Sequence, residues 1–399
     1  MMEWSLVEAK NGESTLQLNG VTIYSKYRPI DDAKRWIDAE CDTKSEEYFM
    51  IGLGLGYHLK ALVECTQGKR ITVYYFEQQE LKLFLLQYSN ETWWQQEHIK
   101  IVHDLKNASI NADIQILIPN VWLQAIGEKH PLFNILDIIR NNQIAYKKNA
   151  KLMAINFKEN MKLCDQSQFT VSTRRVACLV AAGPSLDETI YWLKEQQCNV
   201  DIYVVGAALK KLLKLNIVPI AVVISDAKDL IVEQVSNTSY TGELYYLSTA
   251  NHQAVKMHTG KRYILFQQGY HLAEKESERR KSPLIETGGS VGTTTFSLLQ
   301  LLGYETIILF GQDLGFVGRQ SHAMYATSTN LTYKEHMRTV VSNNGCKINT
   351  TSNLYAFLHW YNEKMKSIKI KVYNTAKMGA KINNVPFINR EEFFDIVKK

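Results

Sequence analysis

Two small-residue turns carry the side chains and amides best suited to chemistry. The first, Ala181-Ala182-Gly183-Pro184-Ser185-Leu186-Asp187-Glu188, follows the apolar run Ala177–Val180. The second, Thr287-Gly288-Gly289-Ser290-Val291-Gly292, leads into a helical stretch through Leu302, and the next apolar run, Ile307–Phe310, ends at Gly311-Gln312-Asp313. A small-residue turn that opens a helix leaves backbone N–H groups free and presents the positive end of the helix dipole, a ready place for phosphate. Gly183 relieves crowding, Pro184 suits a first helical turn, and Ser185 can cap the helix or donate to a phosphate. A single turn of this kind is equally well explained as a capped helix or as tight helix–sheet packing. Two in one α/β unit predict a nucleotide or sugar nucleotide held between facing helix ends.

Acidic groups stand at the carboxyl ends of strands, and histidines in the polar loop beyond one of them. Asp313 follows one apolar strand and Asp226 another, Val222–Ser225. Ligands in open α/β sheets bind outside such carboxyl ends, so the two carboxylates could hold a ribose or an acceptor hydroxyl, act as a base, or merely cap helices. His322, within Ser321-His322-Ala323-Met324-Tyr325, and His336 further on are candidates for a base or a phosphate partner. No HExxH and no paired CxxC occurs, so neither a catalytic nor a structural metal is expected. Gly52-x-Gly54-x-Gly56 with Glu77 after the following strand has the spacing of a methyltransferase or dinucleotide site. With no catalytic motif to accompany it, it reads first as a scaffold or acceptor-recognition module.

The elements that must position these groups alternate. Residues 1–45 form a β-rich segment with a hairpin turn at Asn19-Gly20. Residues 46–130 read as a Rossmann-like domain, with strands at 48–52, 71–76 and 114–118. Residues 131–170 read as a connecting amphipathic helix. Residues 171–330 form the domain with the two turns, with strands at 176–181, 202–205, 220–224, 244–247, 262–266 and 306–310. Residues 331–399 add an aromatic helix at 354–361 and a closing strand at 370–374. The expected class is α/β: two Rossmann-like domains with mostly parallel sheets, a short N-terminal hairpin region and a C-terminal helix and strand.

Bulk composition narrows the field. At 399 residues the chain fits two or three domains, and 45% hydrophobic with 22% charged residues describes ordinary globular protein. The net charge of +6 arises from 46 basic against 40 acidic residues, too balanced to require nucleic acid but compatible with an anionic small ligand. The six cysteines read as reduced thiols, the first residues lack the pattern of a signal peptide, and no apolar run approaches a membrane span. These features predict a cytoplasmic protein without membrane insertion. The sequence carries no signal for an oligomeric state.

Taken together, Leu179–Glu188, Asp226, Gly288–Val291, Gly303-Tyr304, Gly311–Leu314, His322-Ala323, Tyr373-Asn374-Thr375 and Gly379–Ile382 resemble the motility accessory factor (Maf) glycosyltransferases. That larger family also holds 6-hydroxymethylpterin pyrophosphokinases, and the Gly183-Pro184-Ser185 and Ser290…Gly311-x-Asp313 elements are similar to those of bacterial lipooligosaccharide sialyltransferases. The Gly52–Glu77 region is similar to the N-terminal region of Maf proteins. The resemblance implies metal-independent transfer of a nonulosonic acid (sialic, legionaminic or pseudaminic type) from its CMP donor to Ser or Thr of flagellin. The CMP sugar is then a substrate, and no cofactor is expected. It also implies that Gly183–Ser185 and Gly288–Ser290, with Gln312, flank the nucleotide and that Asn374 lies near base or ribose. Tyr325 or His322 would steady the departing phosphate, and Asp313 or His322 would take the acceptor proton, with His336 a further option for the base. Only about seventy residues follow the active-site loop, fewer than in many Maf proteins. Two rivals share the fold: a pterin or nucleotide pyrophosphokinase, and a flagellin-binding chaperone without catalysis.

Overall fold

The computed structural model describes residues 2–103, 114–170, 172, 174–318, 322–327 and 337–398. The chain forms two compact units, 1–140 and 141–399.

The first unit opens with β1 (Trp4–Glu8), β2 (Ser14–Leu18) and β3 (Val21–Thr22), an antiparallel sheet in that order. Asn19 and Gly20, both at positive φ, make the tight turn between β2 and β3. A helix, α1 (Pro29–Glu40), then interrupts the segment expected to be β-rich. Its signals were local: Pro29 in the first turn, Asp31 and Asp32 beside the positive dipole end, and Ala33 and Ile37 four apart on the buried face. A parallel sheet ordered β6-β5-β4-β7 follows, built from β4 (Glu47–Ile51), β5 (Arg70–Tyr74), β6 (Ile99–Val102) and β7 (Ile114–Leu117). Its helices are α2 (Tyr57–Thr66), α3 (Gln78–Gln87) and α4 (Asn120–Ile126). The sequence reading missed β6, a four-residue strand with a lysine at its second position.

A long helix, α5 (Phe133–Met161), ends in the second unit. There Asn156 donates to the carbonyl of Ala227 (3.0 Å) and Asn160 to those of Ser248 (3.1 Å) and Ala250 (2.9 Å). The strands of this unit's sheet are β8 (Val176–Val180), β9 (Asp201–Val205), β10 (Ala221–Ile224), β11 (Glu243–Leu247), β12 (Arg262–Gln267), β13 (Leu284–Ile285) and β14 (Thr306–Phe310). After an antiparallel hairpin of β15 (Met337–Val341) and β16 (Lys347–Thr351), β17 (Lys371–Asn374) completes it. All eight sheet strands run parallel, in the order β13-β12-β11-β10-β9-β8-β14-β17. Helices α6 (Leu186–Gln196), α7 (Gly206–Lys214), α8 (Leu230–Val235), α9 (His252–Met257), α10 (His271–Arg280), α11 (Val291–Leu301), α12 (Ser352–Lys364) and α13 (Arg390–Lys398) accompany it.

The expected α/β class with large parallel sheets is the observed one. Runs such as Ala177-Cys178-Leu179-Val180 and Ile307–Phe310 have no exposed surface, because helices cover both faces. The strand order fixes where a ligand can enter. From β8 the chain winds outward through β13, then returns to lay β14 on the other side of β8. The crossovers leaving β8 and β14 therefore diverge, opening a crevice at their carboxyl ends. Among the described residues no helix is long and apolar enough to cross a membrane.

Candidate functional site

The two strands at that switch point end in the two motifs singled out in the sequence. β8 delivers Ala181-Ala182-Gly183-Pro184-Ser185, and β14 delivers Gly311-Gln312-Asp313. They are stitched together: the N–H groups of Ala181 and Gly183 donate to the carbonyls of Phe310 and Gly311, both at 2.8 Å. A cleft of about 640 Å³, counting the space open to solvent, is walled by Ala181–Gly183, Val205, Ala207, Ser290–Gly292, Gly311–Gly315 and His322. Leu354 and Phe357 of α12 supply an apolar side.

Asp313 dominates the electrostatics of this cleft. It is 5% exposed, and Ser185 holds both its oxygens, through its backbone N–H (3.2 and 3.3 Å) and its hydroxyl (2.8 Å). Burial pushes its carboxyl up to about 7, outweighing the Ser185 hydrogen bonds that favour the anion. Ser185 therefore does not cap its own helix, where no side-chain cap bond forms; it positions a carboxylate instead. Gly183 is required here by close approach, since a Cβ would strike the Asp313 carboxylate and the Gly311 carbonyl.

Three helices start at this cleft. The first turn of α6 faces Asp313; α7 begins at Gly206 with Val205 as a cap that offers no side-chain bond; α11 begins beside Ser290. Ser290 accepts from the N–H of Thr293 (3.1 Å), completing a reciprocal cap. The combined positive ends of these helices favour an anion in the cleft. Gln312, 6% exposed, lines the same space with one end of its amide unpartnered among the described residues. A buried polar atom of this kind calls for a ligand or water. His322 also lines the cleft, and burial lowers its imidazole below the ordinary range, favouring the neutral, proton-accepting form.

Other sequence-derived residues lie elsewhere. Asp226 lies two residues beyond β10, which is two strands from β8, and is exposed, accepting from the N–H of Lys228 (3.1 Å); it does not reach the cleft wall. Asn374 ends β17, is fully buried, and accepts from the N–H of Ala376 (3.0 Å) rather than lining the cleft. Gly288 packs against Trp360, whose indole donates to Glu286 (2.7 Å), so Gly288 and Gly289 shape the turn while Ser290 meets the cleft. Pro184 lies one residue before the N-cap Ser185, not in the first turn of α6 as expected, and its carbonyl accepts from the N–H of Asp187 (3.1 Å). Tyr325 is 69% exposed, with Lys214 over its ring at 4.4 Å. Ser321 and His336 lie outside the described residues. Among the described residues no three His, Cys, Asp or Glu side chains converge as metal ligands do.

The N-terminal glycine turn is filled from within. A Cβ at Gly52 would collide with the Trp122 ring, and Tyr24 and Phe84 crowd Gly54 and Gly56. The fully buried Glu80 accepts from the N–H groups of Gly54 (2.7 Å) and Phe76 (2.6 Å), where a ligand oxygen would sit. Glu77, the acid expected from spacing, accepts from the Trp4 indole (3.2 Å). Sequence reasoning missed Glu80. Its signal was an acidic residue in the first turn of α3, able to reach back to the strand end.

Comparison with known proteins agrees with this architecture. Residues 151–319 match the family described as 6-hydroxymethylpterin diphosphokinase MptE-like, a span holding both turns and Asp313 and ending before His322. Among solved structures, a Maf glycosyltransferase from Magnetospirillum magneticum AMB-1 has a similar fold, with a TM-score of 0.50 at 16% identity over 97% of this chain and 70% of that one. No curated protein matches the sequence. The family match and the shared fold support the resemblance to Maf proteins and their pterin-kinase relatives drawn from the motifs.

Proposed function

We propose that this protein is a metal-independent glycosyltransferase that moves a nonulosonic acid from a CMP-activated donor to Ser or Thr hydroxyls of flagellin. The observation that carries the reading is the Asp313 carboxyl, gripped by Ser185 on a cleft where three helices begin. The donor phosphate lies toward the N-terminal ends of α7 and α11, and the Gln312 amide meets a polar group of nucleotide or sugar. As the bond from the anomeric carbon to the phosphate oxygen breaks, CMP leaves with the electron pair, which the helix ends stabilise. The acceptor oxygen bonds to the anomeric carbon, and its proton passes to Asp313 or to His322. A carboxyl near 7 and a neutral imidazole are both suited to accept a proton near neutrality. Such transfer takes place in the cytoplasm, before the acceptor is exported.

The test is thermal stabilisation by CMP in EDTA, followed by intact-mass measurement of flagellin incubated with protein and CMP-nonulosonate. Stabilisation by CMP and a mass gain of one nonulosonic residue are expected. A second reading, pyrophosphoryl transfer from Mg·ATP to a pterin or nucleotide, is favoured by the name of the matching family. Stabilisation by Mg·ATP but not CMP, lost in EDTA, would replace the first reading with the second.

A further inference from the structure

The turn that carries His322 is held by an ion pair on neighbouring helices. Lys211 of α7 is 7% exposed, and its ammonium pairs with Asp187 of α6 at 2.5 Å. The same ammonium donates to the carbonyl of Met324 (3.0 Å), and both Asp187 oxygens accept from the N–H of Met324 (3.1 Å each). One part-buried pair, its lysine buried and its aspartate 19% exposed, thus engages both backbone polar groups of a single residue. The flanks are pinned separately: Ala323 donates to the carbonyl of Ala182 (2.9 Å) and Thr327 to that of Ala207 (3.0 Å), both on the cleft wall. Tyr325, at φ +64°, is left facing out, between Met324 and the next anchor.

A lysine–aspartate pair withdrawn this far from water is a poor way to gain stability. Its desolvation cost offsets its attraction, and apolar replacements are often as stable. What the pair supplies here is direction, because a donor and an acceptor at a set spacing admit one placement of the Met324 peptide groups. We propose that Lys211 and Asp187 are positioning residues that fix the 322–327 turn and thereby set where His322 stands against the cleft. As a statement about catalysis this rests on the glycosyl-transfer reading; as a statement about the turn it does not.

The test compares wild type with Lys211→Met, the double variant Lys211→Met/Asp187→Leu, and the conservative Lys211→Arg. The double variant keeps its melting temperature, since neither charge is left without its partner. Amide exchange across 322–327 quickens by about tenfold or more in both Met variants, and the His322 imidazole, followed by NMR, moves up toward the ordinary histidine range. For flagellin modification, kcat falls roughly a hundredfold, donor KM stays within about threefold, and Lys211→Arg restores much of the rate. Unchanged exchange and an unchanged His322 titration in the double variant would overturn the clamp, whatever the activity. A wild-type chain that neither binds CMP nor modifies flagellin would overturn the functional reading, leaving exchange and titration to judge the clamp alone.

Discussion

Ser185 and Asp313, 128 residues apart, meet through three hydrogen bonds, two from the serine N–H and one from its hydroxyl. The contact joins the first turn of α6 to the end of β14, so two non-consecutive parts of the chain share one ionisable group. Ser185→Ala removes the hydroxyl donor and leaves the N–H. With less support for the anion, the Asp313 carboxyl rises further above about 7. The acidic limb of the pH–rate profile then moves to higher pH, and the rate at neutral pH drops by about tenfold. An unshifted profile would remove Asp313 as the group that limits the rate on the acid side.

Asp313→Asn and His322→Ala separate the two candidate bases. Each is expected to leave the fold intact, by circular dichroism and melting. Loss of the base costs roughly 10²–10⁴ in kcat, and loss of a group that only steadies the leaving phosphate costs less. The base is the residue whose replacement flattens the acidic limb. Flagellin modified at the wild-type rate by both variants would exclude the assignment altogether.

Asp313 and Glu80 give stability an unusual pH dependence. Burial raises each carboxyl to about 7, above its value in the unfolded chain, so the folded state binds the proton more tightly. Their contribution is fully present below the ordinary carboxylate range and is lost as pH rises through about 7. The urea midpoint should therefore fall from pH 5 to pH 8, and Asp313→Asn and Glu80→Gln should each lessen that fall. Variants that track wild type across this range would show that neither group is the source.

The filled N-terminal turn makes a separate prediction. Glu80→Ala strands the buried N–H groups of Gly54 and Phe76 and should cost about 1–3 kcal/mol for each. Glu80→Gln keeps an acceptor and should cost less. S-adenosylmethionine and NAD should not stabilise the protein, because Glu80, Trp122 and Tyr24 already occupy the space. Clear stabilisation by either ligand would mean that the turn opens.

All strands of the main sheet but β13 were legible because a parallel strand buried on both faces must be a continuous apolar run, as in Ala177–Val180 and Ile307–Phe310; the two-residue edge strand β13, with Leu284 exposed, gives no such run. The glycine turns were legible because few other residues allow such close backbone approach. α1 differs from the β-rich expectation because its proline, aspartates and apolar spacing directly follow the alternating residues of the hairpin. Glu80 rather than Glu77 meets the glycine turn, and spacing along a chain does not tell which side chain near a helix start reaches back to the strand ends.

What the sequence determined by itself was local: where the long apolar strands run, where the turns need small residues, and that Asp226 and Asp313 both follow strands. Only the tertiary structure decided that β14 lies against β8 while β10 lies two strands away, so that Asp313 enters the cleft and Asp226 does not. It also decided that Ser185 grips Asp313, that Lys211 and Asp187 grip Met324, and that Glu80 closes the first glycine turn. Those contacts depend on the order in which strands pair and on side chains far apart in the chain, and a local pattern of apolar and polar residues carries no record of either.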